Sequence, residues 1–149
     1  MDEIETPGEG TRPTRDIMLE TNKALVRRYY AEAMGDFANI EQVVSATFVD
    51  HHFSPGSPLG PAGVRQHFQF LGGIFSDMRI EFGSLLAEGD KVDCHFTLVA
   101  KHTGGFAGIE PKGNIIRCPA ISTFRVEDGK LAEAWELFDS GNLLQQMRA

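Results

Sequence analysis

The chain has 149 residues, 42% of them hydrophobic, and a formal net charge of −7. That length predicts one domain with a core of its own, and the hydrophobic share excludes a disordered chain. The acidic balance argues against nucleic acid or an anionic membrane surface as a partner; no apolar run approaches the ~20 residues of a membrane span, and the polar N-terminus lacks a signal-peptide apolar region, so the expected location is cytoplasmic.

Met1 to about Arg15 carries Pro7, Gly8, Gly10 and Pro13, which oppose regular structure, and is expected to be a flexible arm ahead of one domain over 16–149. Ile17, Leu25, Val26, Tyr29, Tyr30 and Ala33 recur near helical spacing and predict a helix from about Asp16 to Met34, ended by Gly35-Asp36. A short second helix is expected from about Asn39 to Ala46, with Asn39 as N-cap. Thr47 to His52 reads as an extended segment and Ser54 to Pro61 as a Pro/Gly-rich loop. Gly60-Pro61 opens a third helix running to about Phe75, with Val64, Phe68, Leu71 and Phe75 facing inward and His67 facing outward.

From Met78 the pattern changes to strands. Arg79 to Ala87 is the first, Glu88-Gly89-Asp90 a turn, and Lys91 to Thr103 alternates Val92, Cys94, Phe96, Leu98 and Ala100 against Asp93, His95, Thr97, Val99 and Lys101. After a loop from Gly104 to Gly113 come a strand over Asn114 to Thr123 and, overlapping it, the hairpin's first strand over Ala120 to Val126, then Asp128-Gly129, then the second strand, Lys130 to Phe138. Asp-Gly between two such runs signals a tight hairpin, because its central residues must accept φ > 0. A short helix from Ser140 or Gly141 to Met147 closes the chain. Helices first and an antiparallel sheet later give an α+β fold, with helices covering one face of a curved sheet.

The last strand places Glu136 on the face of Ala132 and Ala134. Two alanines leave space, and a carboxylate facing that space is a candidate acid/base; the alternative is a solvated acid on an edge strand, and this segment alone favours that alternative. Cys94 and Cys118 lie in strands and are expected to be buried free thiols. The five histidines show no metal-ligand spacing, and there is no phosphate loop, G-x-S-x-G elbow or dinucleotide fingerprint, so neither metal nor cofactor is expected.

Several blocks fall in a telling order: Asn22 to Tyr30, Phe48-Val49-Asp50-His51, Gly60 to Arg65, Glu88 to Val92, His102-Thr103-Gly104, Gly108 to Gly113, Val126 to Leu131 with Glu133 and Trp135, and Leu143 to Met147. Together they resemble the SnoaL-like polyketide cyclases, within the nuclear-transport-factor-two-like superfamily. The resemblance implies a cone-shaped, curved antiparallel sheet covered by N-terminal helices, the SnoaL-like α+β barrel. Such cyclases use an aspartate on the last strand as acid/base for intramolecular ring closure. That position is similar to Glu136 here, longer by one methylene. A second polar group on the preceding strand, often histidine, corresponds to Ser122.

The resemblance favours His51 as a pocket residue, against a surface pair with His52. Asp139 is either a second carboxylate beside Glu136 or the N-cap of the last helix. Arg117 either binds a substrate oxyanion or lies on the surface, and His95 belongs either to a polar pocket wall or to a sheet surface facing solvent or a partner. Tyr30, Phe48, Trp135 and Phe138 are the aromatic side chains expected at the cavity, with Ser122 and Arg117 as polar contacts. The expected function is a cofactor-free cyclase or isomerase of polyketide or related natural-product biosynthesis, acting on a small hydrophobic ring-forming substrate, and a homodimer through the open sheet face. Two alternatives stand beside it: an epoxide hydrolase or other hydrolase or dehydratase pairing Glu136 with Asp139 or Asp50, and a non-catalytic binding module.

Overall fold

The computed structural model describes residues 12–149. Its elements run α1 (Arg12–Ala33), α2 (Ile40–Val43), β1 (Val44–Asp50), α3 (Pro61–Gly72), β2 (Phe75–Glu88), β3 (Lys91–His102), β4 (Ile115–Glu127), β5 (Lys130–Phe138) and α4 (Ser140–Arg148). α1 begins before Asp16. The last residues of the expected arm, 12–15, form its first turn, where Pro13 fits because first-turn N–H groups have no intrahelical acceptor. The rest of that arm lies outside the described residues.

Further boundaries differ from the sequence reading. α2 is only one turn long, because the β-branched run from Val44 is drawn into the sheet as β1. Asn39 does not cap it with its side chain; its Nδ2 donates instead to Glu32 Oε1, at 3.3 Å. α3 stops at Gly72, and Phe75 opens β2.

The sheet is curved and unclosed, in the order β1-β5-β4-β3-β2. β2 to β5 are antiparallel neighbours, whereas β1 pairs with β5 in parallel. β1 therefore covers the edge of β5 from Leu131 to Ala134, and beyond it the Glu136 side chain is only 17% exposed, so the reading of Glu136 as a solvated edge acid falls. The β4–β5 turn takes φ of 51° at Asp128 and 76° at Gly129, as a two-residue hairpin requires.

The helices pack on one sheet face. Val26, Tyr29 and Tyr30 of α1, Ile40 and Val43 of α2, and Val64 and Phe68 of α3 meet Val92, Phe96, Phe124 and Leu131 of the sheet. Each fully buried apolar side chain contributes roughly 1.5–3 kcal/mol. A second cluster joins Ile74, Phe75, Ile116 and Cys118 to Met147 of α4. Gly60 sets how closely α3 approaches β1: its φ is 72°, and a Cβ there would lie 2.4 Å from the Ala46 carbonyl oxygen. No described helix is long and apolar enough to cross a membrane.

Candidate active site

The β4–β5 register pairs Ser122 with Glu136 and Ala120 with Phe138 on the helix-covered face. One extra β5 residue between the Arg125–Glu133 and Val126–Leu131 pairs breaks the alternation at Ala132, so Leu131 and Ala132 are both buried. Beyond it Ala134 and Glu136 point inward.

Ser122, 2% exposed, donates its hydroxyl to Glu136 Oε1 at 3.1 Å, and its Oγ lies 2.9 Å from Tyr30 Oη. A hydroxyl has one hydrogen, so with Ser122 donating to the carboxylate, Tyr30 donates to Ser122. On the other side His52 Nε2 stands 3.1 Å from Glu136 Oε2. The His52 backbone N–H donates to Asp50 Oδ1 at 2.9 Å, and ring Nδ1 lies 4.0 Å from the same oxygen, buried and without a hydrogen-bond partner. The Phe138 ring edge packs on His52 at 5.6 Å.

Burial raises the Glu136 pKa above the usual carboxylate value; the neighbouring His52 opposes the rise, Asp50 adds to it, and the Ser122 bond opposes it. Burial also raises Asp50, against the His52 backbone N–H and the charges of His52 and His51. Burial holds the Tyr30 hydroxyl well above its ordinary value, with the Glu136 charge adding to the effect. The buried thiols are pushed up to about 12 at Cys94 and about 11 at Cys118, so both stay protonated and unreactive near neutral pH.

Glu136, His52, Tyr30 and His67 make the polar end of a cavity of about 90 Å³. Phe75, Phe96, Leu98, Cys118 and Leu143 are among the side chains of its apolar remainder. The volume lies well below the roughly 300–1,000 Å³ of sites for drug-sized ligands. Among the described residues no cluster of three or more His, Cys, Asp or Glu side chains is disposed to hold a metal ion.

The structure brings together Glu136, Ser122, Tyr30 and Phe138 and places the other expected site residues elsewhere. His51 points to the opposite sheet face, where its Nε2 meets Glu133 Oε2 at 2.6 Å and its ring stacks on Trp135 at 5.3 Å. Trp135 alternates with Glu136 along β5 and therefore shares that outer face. Arg117 is also exposed there and binds Glu81, with Nη2 2.6 Å from Oε2. His95 is exposed on the same outer face. Phe48 is core, packed on Tyr29 at 5.9 Å. Asp139 caps α4, its Oδ1 accepting from the Asn142 N–H at 3.0 Å. His102 is fully buried, with Nε2 donating to the Gly104 carbonyl at 2.7 Å.

The sequence reading preferred His51 to His52 and turned His67 outward, yet it is His52 and His67 that line the cavity, and both left a signal. Phe48, Asp50 and His52 share one parity, so alternation carried one step past β1 turns His52 inward and His51 outward. Val64, His67, Phe68 and Leu71 form an i, i+3, i+4, i+7 stripe, which puts His67 on the inner face of α3 rather than the outer.

The model of the SnoaL-like polyketide cyclase family matches residues 24–147. The chain belongs to that family. Its fold is shared by a Bacillus cereus protein provisionally named a polyketide cyclase, 28% identical, with a TM-score of 0.76 over 99% of this chain and 95% of the other. IdmH from Streptomyces antibioticus, also provisionally named a polyketide cyclase, is 23% identical, with a TM-score of 0.75 over 86% and 99% of the two chains. AclR from Streptomyces galilaeus, provisionally named a hydroxylase, is 26% identical, with a TM-score of 0.73 over 87% and 82%. No curated protein matches the sequence. In this SnoaL-like chain the last-strand acid is Glu136, and its cross-strand partner is a serine that reaches Tyr30.

Proposed function

We propose that this SnoaL-like protein is a cofactor-free cyclase or isomerase whose Glu136 moves a proton at a carbon next to a carbonyl. The observation that carries the reading is the enclosure of the Glu136 carboxylate between Ser122 and His52, with its pKa raised by burial. A carboxylate so placed is a stronger base than a solvated one. Glu136 takes the α proton, and the C–H electron pair becomes an enolate. In a cyclase the enolate carbon attacks a second carbonyl of the same molecule, forming a C–C bond. The new alkoxide then recovers the proton from Glu136. In an isomerase the proton returns to another carbon. Ser122 and His52 hold the carboxylate in place, and the apolar walls fold the substrate into reach.

No lysine or arginine lines the cavity among the described residues. An anionic substrate would meet Glu136 with no counter-charge, which supports an uncharged, compact substrate. Epoxide opening needs a second acid in the wall, but Asp139 caps α4 and Asp50 sits behind His52. The hydroxylase name of one neighbour is a reminder that fold alone does not fix the chemistry. For quaternary structure, we propose a homodimer through the outer sheet face, where Ile121 and Leu137 are 47% and 80% exposed.

The test is α-proton exchange in D2O over a panel of small neutral 1,3- and 1,5-diketones, read by NMR. Wild type should exchange and cyclise members of the panel, and Glu136→Gln should not. Equal exchange by the two proteins rejects the reading.

A further inference from the structure

His67 is the polar side chain of the cavity wall that the contacts around Glu136 leave unused. From α3 it lines the same cavity as Glu136, His52 and Tyr30, beside His52. Its ring is held from several sides: stacked on Phe53 at 4.3 Å with 19° between planes, and set edgewise against His52 at 4.9 Å and Phe68 at 5.1 Å. Yet no hydrogen bond among the described residues satisfies either of its ring nitrogens. They are not sealed in as His52 Nδ1 is, so the cavity can supply the partner.

Burial lowers the His67 pKa to about 4, and the charge of His52 lowers it further in the same direction. Near neutral pH the ring is therefore uncharged, with one N–H donor. An uncharged donor suits a cavity that must also hold an ionised base, because it does not neutralise that base before reaction. Fixed donors aimed at developing charge are among the largest contributors to catalysis, and a neutral imidazole can serve as one.

We infer that His67 is a catalytic residue whose ring N–H donates to the substrate oxygen that becomes negative when Glu136 removes the α proton. The inference rests on the reading of Glu136 as the base. The C–H pair moves into the new C=C bond, the carbonyl π pair moves onto oxygen, and the oxygen is held by the His67 N–H, which keeps its proton. The charge is returned when the enolate carbon forms its new bond.

The probe is 4-nitrophenolate, a ring-sized oxyanion whose absorbance changes on binding. The protein is Glu136→Gln, in which the base carries no charge, as it does after proton transfer. This variant should bind the probe, and an imidazole N–H proton of His67 should move downfield in NMR spectra of 15N-histidine-labelled protein. Glu136→Gln/His67→Phe should bind it roughly 10- to 100-fold more weakly, the worth of one hydrogen bond to a charged oxygen. Glu136→Gln/His67→Gln, which keeps an N–H donor, should recover part of the loss. Equal affinity in the His67→Phe double variant, an unmoved His67 signal in the complex, or no binding by Glu136→Gln each overturns the inference. The NMR readout needs no change at His67, so it stands even where a double variant folds poorly. Wild type should bind the anion more weakly than Glu136→Gln through like-charge repulsion. Equal affinity in that pair rejects Glu136 as the base beside the oxygen and is a separate outcome from failure at His67.

Discussion

Ser122 and Glu136 face each other directly across the β4–β5 ladder, with the serine hydroxyl 3.1 Å from Glu136 Oε1. The bond favours the ionised carboxylate and so works against the rise that burial imposes. Ser122→Ala removes it, and Ser122 itself is buried. The Glu136 pKa should then rise further, and the acidic limb of the pH–rate profile should move to higher pH. Tyr30 loses its acceptor as well, a cost of about 1–3 kcal/mol in stability. Profiles of the two proteins on one exchange substrate decide the matter; a limb that stays put would separate Ser122 from the titrating acid.

Glu136→Gln nearly preserves the shape of the side chain while removing its basicity. The rate should drop by about 100- to 10,000-fold, the usual worth of a positioned acid or base. Glu136→Asp should keep part of the activity from a shorter arm. Wild-type activity should fall as acid protonates Glu136, with the limb above the ordinary glutamate value of 4.5. A cavity that merely folds a reactive substrate predicts a small loss and no such limb.

The paired histidines should separate cleanly. His52→Ala removes the imidazole 3.1 Å from Glu136 and should lower kcat by about tenfold or more. His51→Ala leaves the cavity intact and removes two outer-face contacts, the exposed pair with Glu133, worth about 1 kcal/mol or less, and the stacking on Trp135. Steady-state kinetics with thermal melts of both variants test this, and a larger kinetic defect in His51→Ala reverses the assignment.

Much of this was legible in the sequence because local pattern and fold agree. Asp128-Gly129 fixed the hairpin, and the bounds of β5 came out as Lys130–Phe138, as read. What the chain could not show locally was the parallel pairing of β1 with β5, a contact between residues some 80 positions apart. That pairing turns β5 into an inner strand and carries His52 to Glu136. The outward direction of His51 and Trp135, by contrast, was legible locally, from the parity of Phe48, Asp50 and His52 and from the alternation of Trp135 with Glu136. Asp139 carried an ordinary local role, capping α4 through Asn142 three residues on, whereas the ion pair of Arg117 with Glu81 joins residues 36 positions apart.

The outer sheet face should control oligomeric state without touching the cavity. Leu137 is 80% exposed on β5, next to Ile121 on β4. In the proposed homodimer this pair is buried, and Leu137→Glu would bury an unpaired charge. Sedimentation should then show a dimer for wild type and a monomer for the variant, while binding of 4-nitrophenolate in the Glu136→Gln background is retained. Wild type sedimenting as a monomer rejects the pairing.

Glu136 should also cost the protein stability at neutral pH, in a window that its titration defines. Its folded pKa is raised above the unfolded value of about 4.5. The fold therefore holds the protonated form better than the ionised one. The stability this contributes is fully present below pH 4.5 and is lost as pH rises through the folded value. Glutamine stays neutral throughout and avoids the loss. The melting temperature of Glu136→Gln should match wild type in acid, exceed it increasingly above pH 4.5, and keep a constant lead once Glu136 is fully ionised. His67 works with the opposite sign: its folded pKa is depressed to about 4, so its contribution is complete above 6.5 and is lost as pH falls from there toward 4. That acid-side loss is common to both proteins, and the difference between their melting curves isolates the carboxylate. Asp50, raised in the same direction beside His52, is also present in both. A flat difference across pH would mean that Glu136 is as well solvated in the folded protein as in the unfolded chain, and a solvated carboxylate cannot be the enclosed base on which the chemistry depends.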